Sequence, residues 1–244
     1  MKKRILTILA HGDDLAFGPT GTLVKYARQK VDVHLLIAVE KVDNTQTDGH
    51  FGFWEKEEIE KAASIIGISK LHFLDFQTNV LSQVMLAKLT REIVLKILKI
   101  KPQIIVTLDP AGLSKNLDHL AVAVAVSQAF QKSADQNELN SLEISLKPYP
   151  ASKLYHFIVP EPIQKRFELE IESMPDEKIT AVIDVKPYFQ THLKAMRSQK
   201  NPNPEMKKLI AKLKCTEHHF EFFHLAEPAV SRRALKEIDL FENI

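Results

Sequence analysis

The chain has 244 residues, of which 45% are hydrophobic, and its formal net charge at pH 7 is +2. This length and composition are typical of one globular domain with a large core, so we expect a single domain spanning residues 1–244. The basic residues form no dense run, and the composition therefore indicates no nucleic-acid partner. We expect no membrane span and no signal peptide, because no apolar stretch reaches about 20 residues. The lone Cys215 excludes an internal disulfide, so we expect a reducing, cytoplasmic location.

Apolar runs alternate with helical patterns along the chain. This alternation predicts an α/β fold: a Rossmann-like, doubly wound, mostly parallel sheet with helices on both faces. The predicted strands are residues 4–10, 31–39, 71–75, 103–108, 152–159 and 179–185. The predicted helices are residues 16–29, 55–66, 83–100, 118–131 and 203–214. The polar segment 132–140 is typical of a surface loop. One face of the helix at 203–214 is apolar, which indicates core packing or a contact in a homo-oligomer; it consists of Met206, Leu209, Ile210 and Leu213.

The first predicted strand ends in a cluster of side chains that can bind a divalent cation. His11, Asp13 and Asp14 lie within four residues of one another. The carboxyl ends of parallel strands open onto the crevice where α/β folds bind their ligands. On this segment alone two interpretations stay open. The cluster is a metal site, or Asp13 or Asp14 is only a helix N-cap and His11 a polar residue at the end of a strand.

A second strand is followed by a similar arrangement. After the strand at 103–108 comes a polar loop, and His119 lies where the next helix begins. If the two loops face each other, His11, Asp14 and His119 form a set of two histidines and one carboxylate with a coordination position left open. That is the usual composition of a hydrolytic zinc site. The alternative is that Asp118 is an N-cap and His119 only a residue of the first helical turn.

At these two loops the chain resembles the PIG-L/LmbE-like superfamily of zinc-dependent de-N-acetylases, which remove acetyl groups from N-acetylglucosamine-containing conjugates. The opening motif of that family reads Ala-His-Pro-Asp-Asp-Glu and is matched by residues 10–15. The closing motif reads His-Pro-Asp-His and is matched by residues 116–119. Weaker similarity continues at residues 21–23, 58–67, 101–102, 198–199 and 221–223.

The resemblance implies a role for each matching residue. His11, Asp14 and His119 would bind Zn²⁺, and Asp13 would be the general base that takes a proton from the attacking water. Asp118 would be the carboxylate that orients the neighbouring histidine. The implied substrate is a small molecule, for example an N-acetylated sugar conjugate.

The sequence also departs from the family pattern at several positions. The departures include Gly12 in place of proline, Leu15 in place of glutamate, Glu55 in place of arginine, Asn116 in place of the histidine that protonates the leaving amine, and Met196 in place of a histidine. An asparagine cannot give up a proton, although its amide can hydrogen-bond an oxyanion. Because general acid catalysis contributes roughly 10²–10⁴-fold, its loss is costly unless another group replaces it.

Other histidines are candidates for that acid. His50 is the first, because the loop at 41–54 is expected to border the crevice; the others are His192, His218 and His219. The aromatic residues of the same loop either cover a sugar or acyl group or simply anchor the loop; they are Phe51, Phe53 and Trp54. His34, His72 and His156 lie in predicted strands, and we expect them to be structural.

Two functions from different classes are therefore compatible with the sequence. The first is a zinc-dependent amidohydrolase that removes an acetyl or other acyl group from a small, amino-sugar-like metabolite. The second is a family member that binds metal and ligand without hydrolysing the ligand. The metal and base half of the site is complete in the sequence, and the proton-donating half is not.

Overall fold

The structure is a computed structural model that describes residues 2–41, 54–77, 83–110, 116–169, 171, 173–215, 219–228 and 236–244. Its strands are β1 (Arg4–Leu9), β2 (Asp32–Lys41), β3 (Lys70–Gln77), β4 (Ile104–Leu108), β5 (Lys153–Ile158), β6 (Ala181–Asp184) and β7 (Phe220–Glu227). Its α-helices are α1 (Asp14–Phe17), α2 (Thr20–Arg28), α3 (Lys56–Ile66), α4 (Gln83–Ile100), α5 (Leu117–Lys132), α6 (Gln136–Ser141), α7 (Glu161–Phe167), α8 (Phe189–Met196) and α9 (Pro204–Cys215).

The strands form one mixed sheet in the order β3-β2-β1-β4-β5-β7-β6. Neighbouring strands from β3 to β5 pair in parallel, and β7 runs antiparallel to both β5 and β6. The predicted mostly parallel α/β fold is therefore confirmed. The strand order reverses between β1 and β4, and in open α/β sheets ligands bind at such a switch point, beyond the carboxyl ends of the strands.

Helices cover both faces of the sheet. Alternate side chains of β1 enter different cores: Ile5 and Leu9 pack with residues of α2, α3, α8 and α9, whereas Leu6 and Ile8 pack with residues of α4 and α5. Burial on both faces explains why the strand reads as a continuous apolar run. Within the described ranges, no helix combines the length and apolar composition that crossing a bilayer requires.

Two local predictions were wrong. The helix predicted at 16–29 is divided into α1 and α2 at Gly18 and Pro19, because proline lacks an N–H donor and disfavours helical geometry in the residue before it. The segment predicted as a loop at 132–140 contains most of α6. Asp135 begins this helix, since its side chain accepts hydrogen bonds from the N–H groups of Asn137 and Glu138.

The strand β7 and the helices α7 and α8 were not predicted. In β7, Glu221, Phe223 and Leu225 are buried while the residues between them are partly exposed, so one face packs on the core. This strand is inserted between β5 and β6, although both of them precede it in the chain. The apolar face of α9 packs into the same core, as the core-packing interpretation expects.

A buried ion pair attaches the C-terminal segment to β5. Lys153, the first residue of β5, places its Nζ 2.7 Å from an Oε1 oxygen of Glu237, and the Tyr155 hydroxyl donates to the same carboxylate. Lys153 and Glu237 are only 3% and 2% exposed. The backbone of Glu237 also hydrogen-bonds to Thr180, directly before β6, and to Val182 within β6. The network lies at the amino end of β5, whereas ligands bind at the carboxyl edge of such a sheet.

We predict that Glu237→Gln lowers the free energy of unfolding by about 3 kcal/mol, because it leaves the Lys153 charge buried without a compensating charge. Urea unfolding of the parent and the variant measures the difference. Replacing both partners, Lys153→Met with Glu237→Leu, is expected to cost less than the single change, since no buried charge remains.

The matched control is Glu57→Gln, which removes an exposed carboxylate from α3. It is expected to change the free energy of unfolding by less than about 0.5 kcal/mol. If Glu237→Gln destabilised the protein no more than this control, the proposed importance of the ion pair would be wrong.

Candidate metal centre

A tight turn after β1 brings three polar residues together. The N–H of His11 donates to Oδ2 of Asp14 over 2.9 Å, and the N–H of Ala16 donates to the carbonyl of Asp13 over 2.8 Å. Asp14 is the first residue of α1. Asp13 occupies the N-cap position, but its side chain makes no capping hydrogen bond. The interpretation of Asp13 as merely a helix cap is therefore not supported by its contacts.

Gly12 lets α3 pack directly against this turn. A Cβ atom at this position would lie 2.5 Å from Cδ1 of Ile59 and 3.2 Å from Cβ of Trp54. The ring of the family's proline would occupy the same space. Trp54 is itself 2% exposed, so the interpretation of this aromatic residue as an anchor fits its packing.

The second loop leads into α5 through Asn116. Asn116 is the N-cap, and its side-chain oxygen accepts a hydrogen bond from the N–H of Asp118 over 2.7 Å. Helix α5 begins at Leu117, one residue earlier than predicted. The alternative that Asp118 is the N-cap is therefore wrong. Asp118 lies in the first turn and is 1% exposed.

The two loops bring His11, Asp14 and His119 into one cluster. The Nδ1 atom of His11 lies 3.3 Å from Nε2 of His119, although the two residues are 108 positions apart in the chain. The Nε2 atom of His119 lies 3.0 Å from Oδ1 of Asp14. One possible ligand atom from each of the three residues falls within 4.8 Å of the other two. In the part of the chain that the structure describes, this is the one such group of three.

Asp118 contacts a different histidine from the one expected. Its Oδ2 oxygen lies 3.0 Å from Nε2 of His11, which belongs to the other loop, whereas the sequence pattern led us to expect contact with the neighbouring His119. An Nε2–H that donates to this carboxylate leaves the Nδ1 lone pair of His11 facing His119 and Asp14. Carboxylates commonly orient metal-binding histidines in this way.

Opposite charges are coupled at the cluster. Burial of the His11 imidazole opposes its protonation, but the hydrogen bond to Asp118 and the charges of Asp14 and Asp13 outweigh burial and raise the pKa of His11 to about 9. Burial of the Asp14 carboxyl likewise opposes its ionisation, but His119 and His11 outweigh burial and lower the pKa of Asp14. The carboxylates of the site thus favour a positive charge close to them, which is also what a bound cation requires.

The three residues fit a zinc ion. Ligands at 2.0–2.1 Å from a tetrahedral ion lie about 3.3 Å apart, which is close to the observed separation between the His11 and His119 nitrogens. Two imidazole nitrogens and one carboxylate oxygen are the donors that catalytic zinc sites use.

The histidines considered as replacement acids lie elsewhere or outside the described residues. His192 is buried, and its Nε2 lies 3.2 Å from the carbonyl of Ala16. Burial lowers the pKa of His192 to about 4, so this imidazole is neutral at pH 7 and is not a general acid there. The ring of His219 packs edge-on against Phe189. His50 and His218 are not among the described residues, and neither are Phe51 and Phe53.

Three further departures from the family pattern have structural roles. Leu15 and Met196 are both 1% exposed and belong to the same apolar core, and their helices α1 and α8 pack against each other. Glu55 forms a capping box with Glu58 at the start of α3.

Asp109 directly follows β4 and was not singled out as a candidate site residue in the sequence. An Oδ2 atom of Asp109 lies 3.7 Å from Nδ1 of His156. A carboxylate directly after a buried strand was the available signal. His34 and His72 hydrogen-bond to each other over 3.0 Å near the amino ends of β2 and β3, as structural histidines would.

Comparisons with known proteins identify the family of this chain. Residues 6–130, half of the chain, match the family model described as GlcNAc-PI de-N-acetylase (PIG-L). The chain is 34% identical over 113 residues to diacetylchitobiose deacetylase from Thermococcus kodakarensis, a match that covers 44% of this chain and only 41% of that protein. It is 24% identical over 237 residues to 1D-myo-inositol 2-acetamido-2-deoxy-alpha-D-glucopyranoside deacetylase from Rhodococcus jostii, a match that covers 80% of each chain.

Solved structures share the fold. N,N'-diacetylchitobiose deacetylase from Pyrococcus horikoshii superimposes with a TM-score of 0.66 at 21% identity, covering 91% of this chain and 83% of that one. The 4-carboxy-2-hydroxymuconate hydratase GalB from Pseudomonas putida also gives a TM-score of 0.66, at 15% identity, covering 96% of this chain and all of that one. Together with the matched family model, the observed fold and the paired loop motifs show that this chain belongs to the PIG-L family of de-N-acetylases.

Proposed function

We propose that the protein is a zinc-dependent amidohydrolase that removes an acetyl or other acyl group from the amide of a small N-acylated amino-sugar-like metabolite. The observation that carries this proposal is the cluster of His11, Asp14 and His119, in which Asp118 orients His11. The cluster supplies the donors of a hydrolytic zinc site, and Asp13 adds a carboxylate directly beside it.

The names of the relatives support the same reaction. Two of the relatives found by sequence are named as deacetylases, one of diacetylchitobiose and one of a 2-acetamido-2-deoxy-glucopyranoside. One structural neighbour is named as a hydratase, so the fold by itself is compatible with more than one reaction. The reaction is therefore inferred from the residues of the site and not from the fold. The alternative of a protein that binds its ligand without hydrolysis is not favoured, because a pure binding site has no need of Asp13 beside the metal ligands.

Each residue of the site has a defined task in this proposal. His11, Asp14 and His119 would hold the zinc, with Asp118 fixing the His11 ring. When bound, zinc acts as a Lewis acid that lowers the pKa of a coordinated water and polarises a carbonyl oxygen. Asp13 takes a proton from the attacking water as the new C–O bond forms.

The leaving amine then needs a proton when the C–N bond breaks. Asn116 has no proton to give, and its side-chain oxygen already accepts the N–H of Asp118. Its amide NH₂ group can only donate a hydrogen bond. Asp13 is protonated by the first step, and we infer that it delivers this proton to the amine. The OH group of the water thereby ends on the carboxylic acid product and its proton on the amine, and Asp13 returns to its ionised form.

We predict that Asp13→Asn keeps zinc but lowers the rate of amine release from N-acetylglucosamine conjugates by roughly 10²–10⁴-fold, because the base and the proton carrier are both lost. Metal analysis of the purified protein and a fluorescent amine assay measure the two quantities. His119→Ala, in contrast, is expected to lose both zinc and activity.

The matched control is Asp176→Asn, which removes an exposed carboxylate from a short 3₁₀ turn and is expected to keep both properties. If the parent bound one zinc per chain but released no amine from any N-acetyl sugar or amino acid, the protein would be a binder and the proposed function would be wrong.

We predict that Asn116→His changes the shape of the pH–rate profile. If Asp13 moves the proton in both directions, kcat/KM of the parent rises with pH to a plateau. A histidine that acts as general acid must be protonated, so the variant gains a descending limb near pH 7 and a faster rate below it. The substitution also removes a helix cap, which is expected to cost about 1 kcal/mol of stability.

The same measurement tests His50, whose role as general acid stays a prediction. If His50 supplied the proton, the parent itself would show the descending limb, and His50→Gln would remove it. A profile that is identical in the parent and in His50→Gln would exclude His50 and leave Asp13 as the proton carrier.

A further inference from the structure

An apolar pocket borders α1, the short helix that begins with the candidate zinc ligand Asp14. Its volume is about 40 Å³, and its apolar lining includes Phe17, Phe157, Val159, Ile163, Val185 and Phe189. It lies between α1, α7 and α8, at the carboxyl end of β5. Because β7 is antiparallel to β5, the start of β7 reaches the same edge of the sheet and also borders the pocket.

The pocket begins one helical turn from a metal-binding residue. Asp14 and Phe17 are three residues apart in α1. Side chains at this spacing are neighbours on a helix, with Cβ atoms about 5–6 Å apart. One side of α1 thus contributes a candidate zinc ligand, and the adjacent position contributes a wall of the pocket.

Two buried polar residues border the pocket, and each is hydrogen-bonded to the backbone. His192 contacts the carbonyl of Ala16 through Nε2, and the carboxylate of Glu221 accepts the N–H groups of Gly21 and Thr22 over 2.7 and 2.8 Å. The remaining lining is predominantly carbon. The pocket therefore suits an apolar group better than a polar one.

The size of the pocket limits its occupant. A single water needs about 10–15 Å³ of such volume, so 40 Å³ has room for about three groups of that size. The mostly apolar lining offers few polar partners for buried water, which normally has two to four. A hydrocarbon segment of about three carbons fits both the volume and the lining.

We propose that this pocket, the acyl pocket, holds the hydrocarbon end of the substrate's acyl group, so that the protein prefers N-butyryl over N-acetyl amino sugars. The proposal rests on the proposed function, since it places the acyl group beside the metal centre. A butyryl group extends three carbons beyond its carbonyl and fills the pocket, whereas an acetyl group extends one.

The first experiment compares kcat/KM of the zinc-loaded protein for N-acetyl-, N-propionyl- and N-butyrylglucosamine. Each buried methylene is expected to raise kcat/KM about fourfold, so the butyryl to acetyl ratio should be about 15. Ile163→Phe fills the acyl pocket from α7 and should bring this ratio close to one. Ile65→Phe is the matched control, because Ile65 packs against the same core from α3 but does not line the pocket. It should keep the parent ratio.

A binding experiment separates this proposal from the proposed function. Calorimetric titration of the parent with N-butyrylglucosamine and N-acetylglucosamine needs no turnover, so it tests the pocket even if neither sugar is hydrolysed. Tighter binding of the butyryl sugar in the parent, lost in Ile163→Phe, supports the proposal. Equal binding of the two sugars by the parent, or a preference that survives in Ile163→Phe, overturns it.

A second variant applies if Ile163→Phe does not fold. Phe189→Ala enlarges the acyl pocket, and the preferred chain should then lengthen from butyryl to hexanoyl. If the preferred chain length did not change in a folded Phe189→Ala protein, the pocket would not hold the acyl group.

Discussion

The hydrogen bond between the Asp118 carboxylate and Nε2 of His11 is the contact on which the rest of the site depends. It joins the loop after β1 to the first turn of α5. Asp118 is 1% exposed, and removing the His11 partner of a carboxylate at that depth is unfavourable, so the contact opposes separation of the two loops. The positive end of the α5 dipole adds to the stabilisation of the same carboxylate. The contact also determines which nitrogen of His11 faces His119 and Asp14. The geometry of the candidate metal-binding cluster therefore depends on the hydrogen bond between Asp118 and His11.

The departures from the family pattern are compensated by packing. Gly12 leaves room for Ile59 and Trp54, so α3 supports the turn that carries Asp13 and Asp14. Leu15 and Met196 replace two polar residues by two apolar ones, and both are buried in one core between α1 and α8. A polar side chain at only one of these positions would lack a partner in an apolar environment, which is unfavourable. The two replacements are therefore consistent with each other, and they make the neighbourhood of α1 more apolar without altering the cluster itself.

Much of this arrangement could be predicted from the sequence, because the parallel strands and the two motif loops carry local signals. Continuous apolar runs identified β1, β2 and β4, and the loops after β1 and β4 identified His11, Asp14 and His119. The unpredicted features depend on contacts distant in the chain. The position of β7 between β5 and β6 follows from pairing, not from periodicity. The partner of Asp118 follows from the way the two loops meet, and sequence adjacency pointed instead to His119. Pro19 was interpreted as a proline tolerated near the start of one helix, whereas in the structure it lies between α1 and α2.

At position 116, this chain has a helix-capping residue where the family pattern has a proton donor. In the family pattern this position holds the histidine that donates a proton, whereas here an asparagine caps the helix that carries Asp118 and His119. Asparagine is among the most favourable N-cap residues, because its short side chain reaches the backbone N–H two or three residues ahead. Histidine is not, so one side chain at this position cannot serve both tasks equally well. The cap fixes the backbone of Asp118, whose carboxylate contacts His11. In the proposed mechanism, Asp13 then returns to the amine the proton that it took from water. Within the described site, Asn116 thus stabilises the start of α5 and, for the same reason, leaves this position without a general acid.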